Sequence, residues 1–136
     1  MFISETSLRV RYGETDQMGY VYYGNYALYY EVGRVDALRT IGMTYRELEE
    51  DGVMMPVLKM ECEYVKAAKY DELLTIKVII KELPGIRMPF FYEVYNEAGE
   101  LVNKGSTTLV FINMSTNKPV RCPEKLFSRL KPYFAE

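Results

Sequence analysis

Asp16 sits in the run Glu14-Thr15-Asp16-Gln17-Met18-Gly19, between a segment that alternates like a strand and one that repeats like a helix. A loop aspartate commonly closes an Asx-turn or caps a helix. A second reading is chemical. The first N–H groups of a helix have no intrahelical acceptor. Those of Tyr22, Tyr23 or Gly24 could therefore point at a carbonyl oxygen held beside Asp16. A carboxylate next to such donors can attack the carbonyl carbon or activate water while the donors hold the developing oxyanion. That is a minimal set of parts for acyl transfer.

The rest of the composition narrows the alternatives. The chain has 136 residues and no histidine. Ser-His-Asp and Cys-His nucleophile systems are thereby excluded within one chain, as is any His-ligated metal. A general base must be Asp, Glu, Lys, Tyr or Cys. Cys62 and Cys122 form neither a CxxC pair nor a zinc knuckle. They read as buried or incidental free thiols in a reducing cytosol. No metal and no cofactor is expected. Seventeen basic and nineteen acidic side chains give a net charge of −2, which argues against nucleic-acid binding by bulk charge. Met1 to Glu5 lacks the basic and apolar regions of a signal peptide. No apolar run approaches the ~18 residues of a membrane span. The expectation is one cytoplasmic domain over residues 1–136.

The elements that must position Asp16 follow from periodicity. Leu8, Val10 and Tyr12 alternate with Ser7, Arg9 and Arg11, which predicts a strand over roughly 4–12. From Asn25 to Ile41 apolar residues recur at three and four, on two stripes, which predicts an enclosed helix with Asn25 as N-cap and Gly42 at C′. Thr44-Tyr45-Arg46-Glu47 has capping-box spacing and starts a short second helix, ended by Asp51-Gly52. Strand-like alternation returns around Leu58–Tyr64, Leu74–Lys81, Phe90–Val94 and Leu101–Ile112, with Gly105 inside the last. Pro89 suggests an edge or bulge. Turns are expected at 96–100 and 117–119, and a terminal helix over Pro123–Leu130. The order β-α-α-β-β-β-β is an α+β plan, an antiparallel sheet curled around one long central helix.

Tyrosine crowds the same region: Tyr12, Tyr20, Tyr22, Tyr23, Tyr26, Tyr29 and Tyr30. Such a cluster suits plain packing, an apolar pocket or a subunit interface alike. Glu31 and Arg34 are three apart on the predicted helix and should pair by default, as should Asp36 and Arg39.

The stretch from Val10 to Tyr26, with Tyr30-Glu31-Val32-Gly33-Arg34 after it, resembles the hotdog-fold acyl-CoA thioesterases, and among them the 4-hydroxybenzoyl-CoA thioesterase group. The later strand order is similar too. The resemblance implies a hotdog fold, hydrolysis of an acyl-CoA thioester, and a homodimer or homotetramer with the site at the dimer interface. It places the catalytic carboxylate on Asp16, the polarising helix-start N–H on Tyr23 with Gly24 beside it, and a helix carboxylate on Glu31. Tyr20 stands where many relatives carry histidine; Tyr20 and Tyr26 are expected to contact substrate. The phosphates of coenzyme A need local cations. Arg87, after the Pro84-Gly85 turn, is the first candidate, then Lys66 and Lys69; Lys59 and Lys104 are further possibilities. The thioester could instead sit on acyl carrier protein, or the fold could serve as a non-catalytic acyl-binding module. A hotdog dehydratase is disfavoured, since that chemistry leans on a histidine base.

Overall fold

The computed structural model describes residues 1–134. In chain order the elements are β1 (Phe2–Arg9), α1 (Tyr26–Thr40), α2 (Tyr45–Glu50), β2 (Val53–Met54), β3 (Val57–Tyr64), β4 (Leu73–Ile80), β5 (Arg87–Tyr95), β6 (Leu101–Val110), β7 (Ile112–Asn113), β8 (Lys118–Pro119) and α3 (Glu124–Leu130). Single 3-10 turns occupy Tyr12–Glu14, Tyr23–Asn25 and Lys131–Phe134.

Five strands form one antiparallel sheet in the order β1-β4-β5-β6-β3, and β2, β7 and β8 form a small second sheet. Strict alternation sorts the faces. Leu74, Ile76, Val78 and Ile80 of β4 point inward and are buried, as are Met88, Phe90, Tyr92 and Val94 of β5. Helix α1 fills the concave side, and each such fully buried side chain contributes roughly 1.5–3 kcal/mol. The helix comes close because Gly33 faces β4: a Cβ there would stand 2.8 Å from methyls of both Ile76 and Val78. Leu126 and Leu130 of α3 complete the core. This is the hotdog arrangement, helix wrapped by sheet.

Several expectations shift. The first strand ends at Arg9, not near residue 12, because Tyr12–Glu14 turns to bring Glu14 beneath the helix start. Asn25 precedes α1 but its side chain caps no helix N–H. Thr44 does cap α2, accepting from the Glu47 N–H at 3.1 Å, but Glu47 pairs with Lys125 at 3.2 Å. Gly42 takes the left-handed conformation (φ +80°) expected at C′. Pro89 lies in a central strand, yet β4 pairs with β5 only as far as Ile79↔Phe91, so β5 is locally an edge at Pro89. The turn expected at 117–119 falls earlier: Asn117 has φ +57°, and Lys118–Pro119 is already strand β8. Among the described residues, no helix is long and apolar enough to cross a membrane.

Candidate active site

The Asp16 loop closes on itself. The Asp16 N–H donates to the Tyr20 carbonyl at 2.8 Å, and the Gly19 N–H donates to the Asp16 carbonyl at 3.0 Å. Gly19 sits at φ +80°, a conformation that costs a side chain but not glycine. The carboxylate is divided between two situations. Oδ1 accepts from the N–H groups of Met18 (2.9 Å) and Tyr20 (3.2 Å), which is the Asx-turn reading. Oδ2 has no protein partner among the described residues, and no cation lies within ion-pair distance of the group. The loop is held from behind by the Val21 N–H on the Ala68 carbonyl at 2.8 Å.

Glu14 joins this loop to the helix start. Its carbonyl oxygen accepts from the Tyr22 N–H at 2.9 Å and from Asn25 Nδ2 at 2.8 Å. Its carboxylate accepts from the Arg11 N–H (2.8 Å), the Arg11 guanidinium (2.9 Å) and the Tyr29 hydroxyl (2.9 Å). Burial by itself would raise the Glu14 carboxyl, but these donors outweigh it and hold the group below the ordinary carboxylate value. Of the three candidate helix-start donors, Tyr22 is thus already engaged. The N–H groups of Tyr23 and Gly24 have no acceptor among the described residues. The Tyr64 hydroxyl donates to the Tyr23 carbonyl at 3.3 Å and ties that turn to the end of β3.

Asp16, Tyr20, Tyr23, Tyr26 and Lys66 line one cleft of about 330 Å³. Tyr64, Val65, Ala67 and Ala68 form its opposite wall. Tyr26 is 3% exposed; burial first, then the nearby Cys62, Tyr64 and Glu72, push its hydroxyl up to about 12, so it remains a neutral phenol. A larger hollow of about 550 Å³ opens on the outer face of the sheet between Glu61 and Phe91. Its carboxylates are paired, Glu63 with Lys104, Glu61 with Lys59 and Glu93 with Lys77, while Lys81 lies over the Phe91 ring at 3.8 Å. The smaller cleft is the one that Asp16 and Tyr23 both line.

Gly24 is exposed next to Tyr23, and a Cβ on it would reach the Tyr22 ring at 3.0 Å. Lys69 is exposed and pairs through its backbone with Tyr20. Lys66 is held by Glu100 at 2.5 Å. Glu31 is exposed on α1, outside the cleft lining, and does not pair with Arg34. Arg34 turns inward to the Tyr45 hydroxyl at 2.9 Å, whereas the Asp36–Arg39 pair does form at 3.5 Å. Arg87 is exposed at the far end of the sheet. Its register partner is Val110, while the cleft wall at Lys66 bonds the Val102 carbonyl. Eight residues of β6 separate them, about 27 Å at strand rise. Of the wall from Tyr64 to Ala68 sequence reasoning names only Lys66, and the clamp at Glu14 escapes it. The one hint is that Tyr64 continues the alternation of Leu58, Met60 and Cys62 in the sequence.

Among the described residues, no three His, Cys, Asp or Glu side chains gather as a metal cage. The comparisons with known proteins agree on one family. Residues 10–130 match the model of the thioesterase-like superfamily. YneP of Bacillus subtilis (strain 168), which bears an acyl-CoA thioesterase name, is 35% identical over 121 residues, covering 89% of this chain and 88% of that one. The acyl-CoA thioester hydrolase YbgC of Escherichia coli O6:H1 is 29% identical over 124 residues, covering 91% and 92%. The solved DHNA-CoA thioesterase of Staphylococcus aureus superposes with a TM-score of 0.85 at 37% identity, covering 98% of this chain and 85% of that one. With the hotdog arrangement and a matched span that takes in both the Asp16 loop and the sheet, the chain belongs to the thioesterase-like superfamily.

Proposed function

We propose that this protein hydrolyses acyl-CoA thioesters to a free carboxylic acid and CoA in the Asp16 cleft. The observation that carries the reading is one cleft lined by Asp16, which has an unpartnered carboxylate oxygen, and by Tyr23, whose N–H, like that of the adjoining Gly24, has no acceptor among the described residues. The thioester carbonyl oxygen lies against the N–H groups of Tyr23 and Gly24. Those donors act most strongly once the oxygen becomes an oxyanion, which is what accelerates the step. Asp16 Oδ2 has two routes. As a base it takes a proton from water, whose oxygen bonds the carbonyl carbon; the C–S bond then breaks and the thiolate leaves with that proton. As a nucleophile it bonds the carbonyl carbon itself and expels the thiolate, and water then opens the resulting anhydride. The names of YneP and YbgC carry the same reaction class.

Tyr20 and Tyr26 contribute aromatic walls for the acyl group, and Glu31 assists from the exposed face of α1. The nucleotide is held by Arg87, Lys66 and Lys69. Arg87 lies too far along β6 to serve the cleft of its own chain, so this role requires a homodimer or a higher homo-oligomer. The edge strand β3 exposes Val57, Leu58, Met60 and Tyr64, an apolar edge that in isolation would invite association. Antiparallel pairing of two such edges sets the Val57 end of one protomer, with Arg87 two strands in, beside the Tyr64 end of its partner.

The test is release of free thiol from a panel of acyl-CoAs and acyl-pantetheines. Turnover that Asp16→Asn removes, and that Glu31→Gln lowers less, supports the reading. No turnover above the uncatalysed rate, or equal turnover by the Asn variant, overturns it.

A further inference from the structure

Asn25 stands at the entry to α1, yet its side chain caps none of the helix N–H groups. An asparagine in that place ordinarily spends its side chain on capping, a task that Ser and Asp perform as well. Here the amide nitrogen reaches back instead and donates to the Glu14 carbonyl oxygen at 2.8 Å. The same oxygen accepts from the Tyr22 N–H at 2.9 Å. Tyr22 and Asn25 are the two ends of the turn whose middle residues, Tyr23 and Gly24, carry the free N–H groups. Both ends of that turn hang from one atom, which lies two residues before Asp16 in the chain.

Burial does not hold the middle of the turn. Tyr23 is 63% exposed, and Gly24 is exposed with no side chain to pack. The Asn25 N–H closes the turn on the Tyr22 carbonyl at 2.9 Å, which sets its shape but not its tilt toward Asp16. The Tyr64 hydroxyl reaches the Tyr23 carbonyl at 3.3 Å, a long and exposed bond. The Tyr22 N–H alone would be a pivot. The second bond, at Asn25, removes rotation about it. Glu14 cannot yield in turn, because Arg11 and Tyr29 hold its carboxylate. The direction of the two N–H groups therefore follows the backbone that carries Asp16.

We propose that Asn25 is a positioning residue for the hydrolysis, its side-chain amide aiming the Tyr23 and Gly24 N–H groups at the oxyanion formed beside Asp16. The inference rests on the reading above. Asn25 touches no reacting atom. It fixes the donors before the reaction starts, and preorganised donors favour the oxyanion over the ground-state carbonyl. Its loss therefore falls on kcat and leaves KM in place.

The experiment replaces Asn25 by Asp and, separately, by Ser. Both residues cap a helix as Asn does, but Asp sets a second acceptor against the Glu14 carbonyl, and Ser places its hydroxyl one bond short of the amide nitrogen. With acyl-CoAs that wild type hydrolyses, Asn25→Asp and Asn25→Ser should each lose ~10–100-fold in kcat with KM within ~2-fold. Wild-type kcat in both variants, or a loss confined to KM, overturns the proposal and makes Asn25 an ordinary helix-start residue. Calorimetry with two CoA thioethers reads the same donors without turnover. Trifluoroacetonyl-CoA hydrates to a tetrahedral carbon bearing an acidic hydroxyl, whereas acetonyl-CoA stays a ketone. Wild type should prefer the trifluoro compound by ~10-fold or more, and both variants should lose that preference while binding acetonyl-CoA as wild type does. No preference in wild type, or one that survives in the variants, also overturns the proposal. Should one variant fail to fold, the other decides. Failure of the whole acyl-CoA panel in wild type would instead overturn the hydrolase reading, and the ratio of the two thioethers would still decide the role of Asn25.

Discussion

The Asn25 side-chain amide donates to the Glu14 carbonyl oxygen at 2.8 Å, across eleven positions of sequence. With the Tyr22 N–H on the same oxygen, this bond makes the Asp16 loop and the start of α1 one rigid piece. The carboxylate and the free N–H groups are therefore positioned by shared backbone, and the aromatic side chains around them need only shape the cleft.

The division of Asp16 between a turn and a cleft gives a clean substitution. Asparagine keeps an Oδ1 that accepts from Met18 and Tyr20, but removes the charge, base and nucleophile at Oδ2. Asp16→Asn should lower kcat by roughly 10²–10⁴-fold. Stability, read by urea denaturation, should change by less than ~1 kcal/mol. A larger loss with activity retained would assign Asp16 to architecture alone.

Acid should remove stability at Glu14. Its carboxyl sits below the ordinary value in the folded protein because of Arg11 and Tyr29. A lowered folded pKa gives stability that is complete above the unfolded value and is lost as pH falls through the folded one. Thermal melts from pH 7 down to pH 3 should show this loss. Glu14→Ala should remove that part of the pH dependence, leave the Tyr29 hydroxyl unpaired, and cost about 1–3 kcal/mol at neutral pH. An unchanged acid profile in Glu14→Ala would place the sensitive carboxyl elsewhere.

Gly105 should be intolerant of any side chain. A Cβ there would overlap the Glu61 carbonyl oxygen of the neighbouring strand and stand 2.5 Å from the Tyr30 hydroxyl. Tyr30 itself is fully buried, stacked on Tyr92 at 4.1 Å and bonded to Asn103. Gly105→Ala should destabilise by at least ~1–3 kcal/mol. Adding Tyr30→Phe should not rescue it, since the Glu61 backbone still blocks the space. Full rescue in the double variant, measured by thermal unfolding, would show that the hydroxyl alone sets the constraint.

Arg87→Ala should separate binding from chemistry. A contact to the nucleotide is felt equally in ground and transition states, so KM should rise ~10-fold or more with kcat nearly constant. An acyl-N-acetylcysteamine, which has no phosphates, should be insensitive to the change. Equal damage with both substrates would make Arg87 structural.

Much of this molecule is legible locally. The period of two in Leu74–Ile80 and the three-four spacing from Tyr26 to Leu38 each record one buried face, so β4 and α1 can be read from neighbours in sequence. Asp16 is legible for a similar reason: a Gly-ended loop before a helix is a short-range pattern. What escapes is set by pairing across the chain. Tyr64 to Ala68 become a cleft wall only because β3 lies beside β6, and Val21 bonds Ala68 from 47 positions away. Arg34 has a carboxylate at three-residue spacing, yet burial of its face turns it toward Tyr45 and Tyr92, a choice made by α2 and β5. Pro89 does mark a local edge, but the reason, that β4 leaves β5 at Phe91, is not written near the proline.

The stretch of β6 from Val102 to Val110 acts as a ruler. It keeps the Arg87 guanidinium a sheet's length from the carboxylate of its own chain. If both act on one substrate molecule, mass action enters the rate law. Below the dissociation constant of the dimer, each protomer retains its carboxylate and its free N–H groups but loses its grip on the nucleotide. Dilution would then raise the apparent KM for acyl-CoA while leaving turnover of nucleotide-free thioesters proportional to protein. Enzyme concentration itself becomes a control on which thioesters are cleaved.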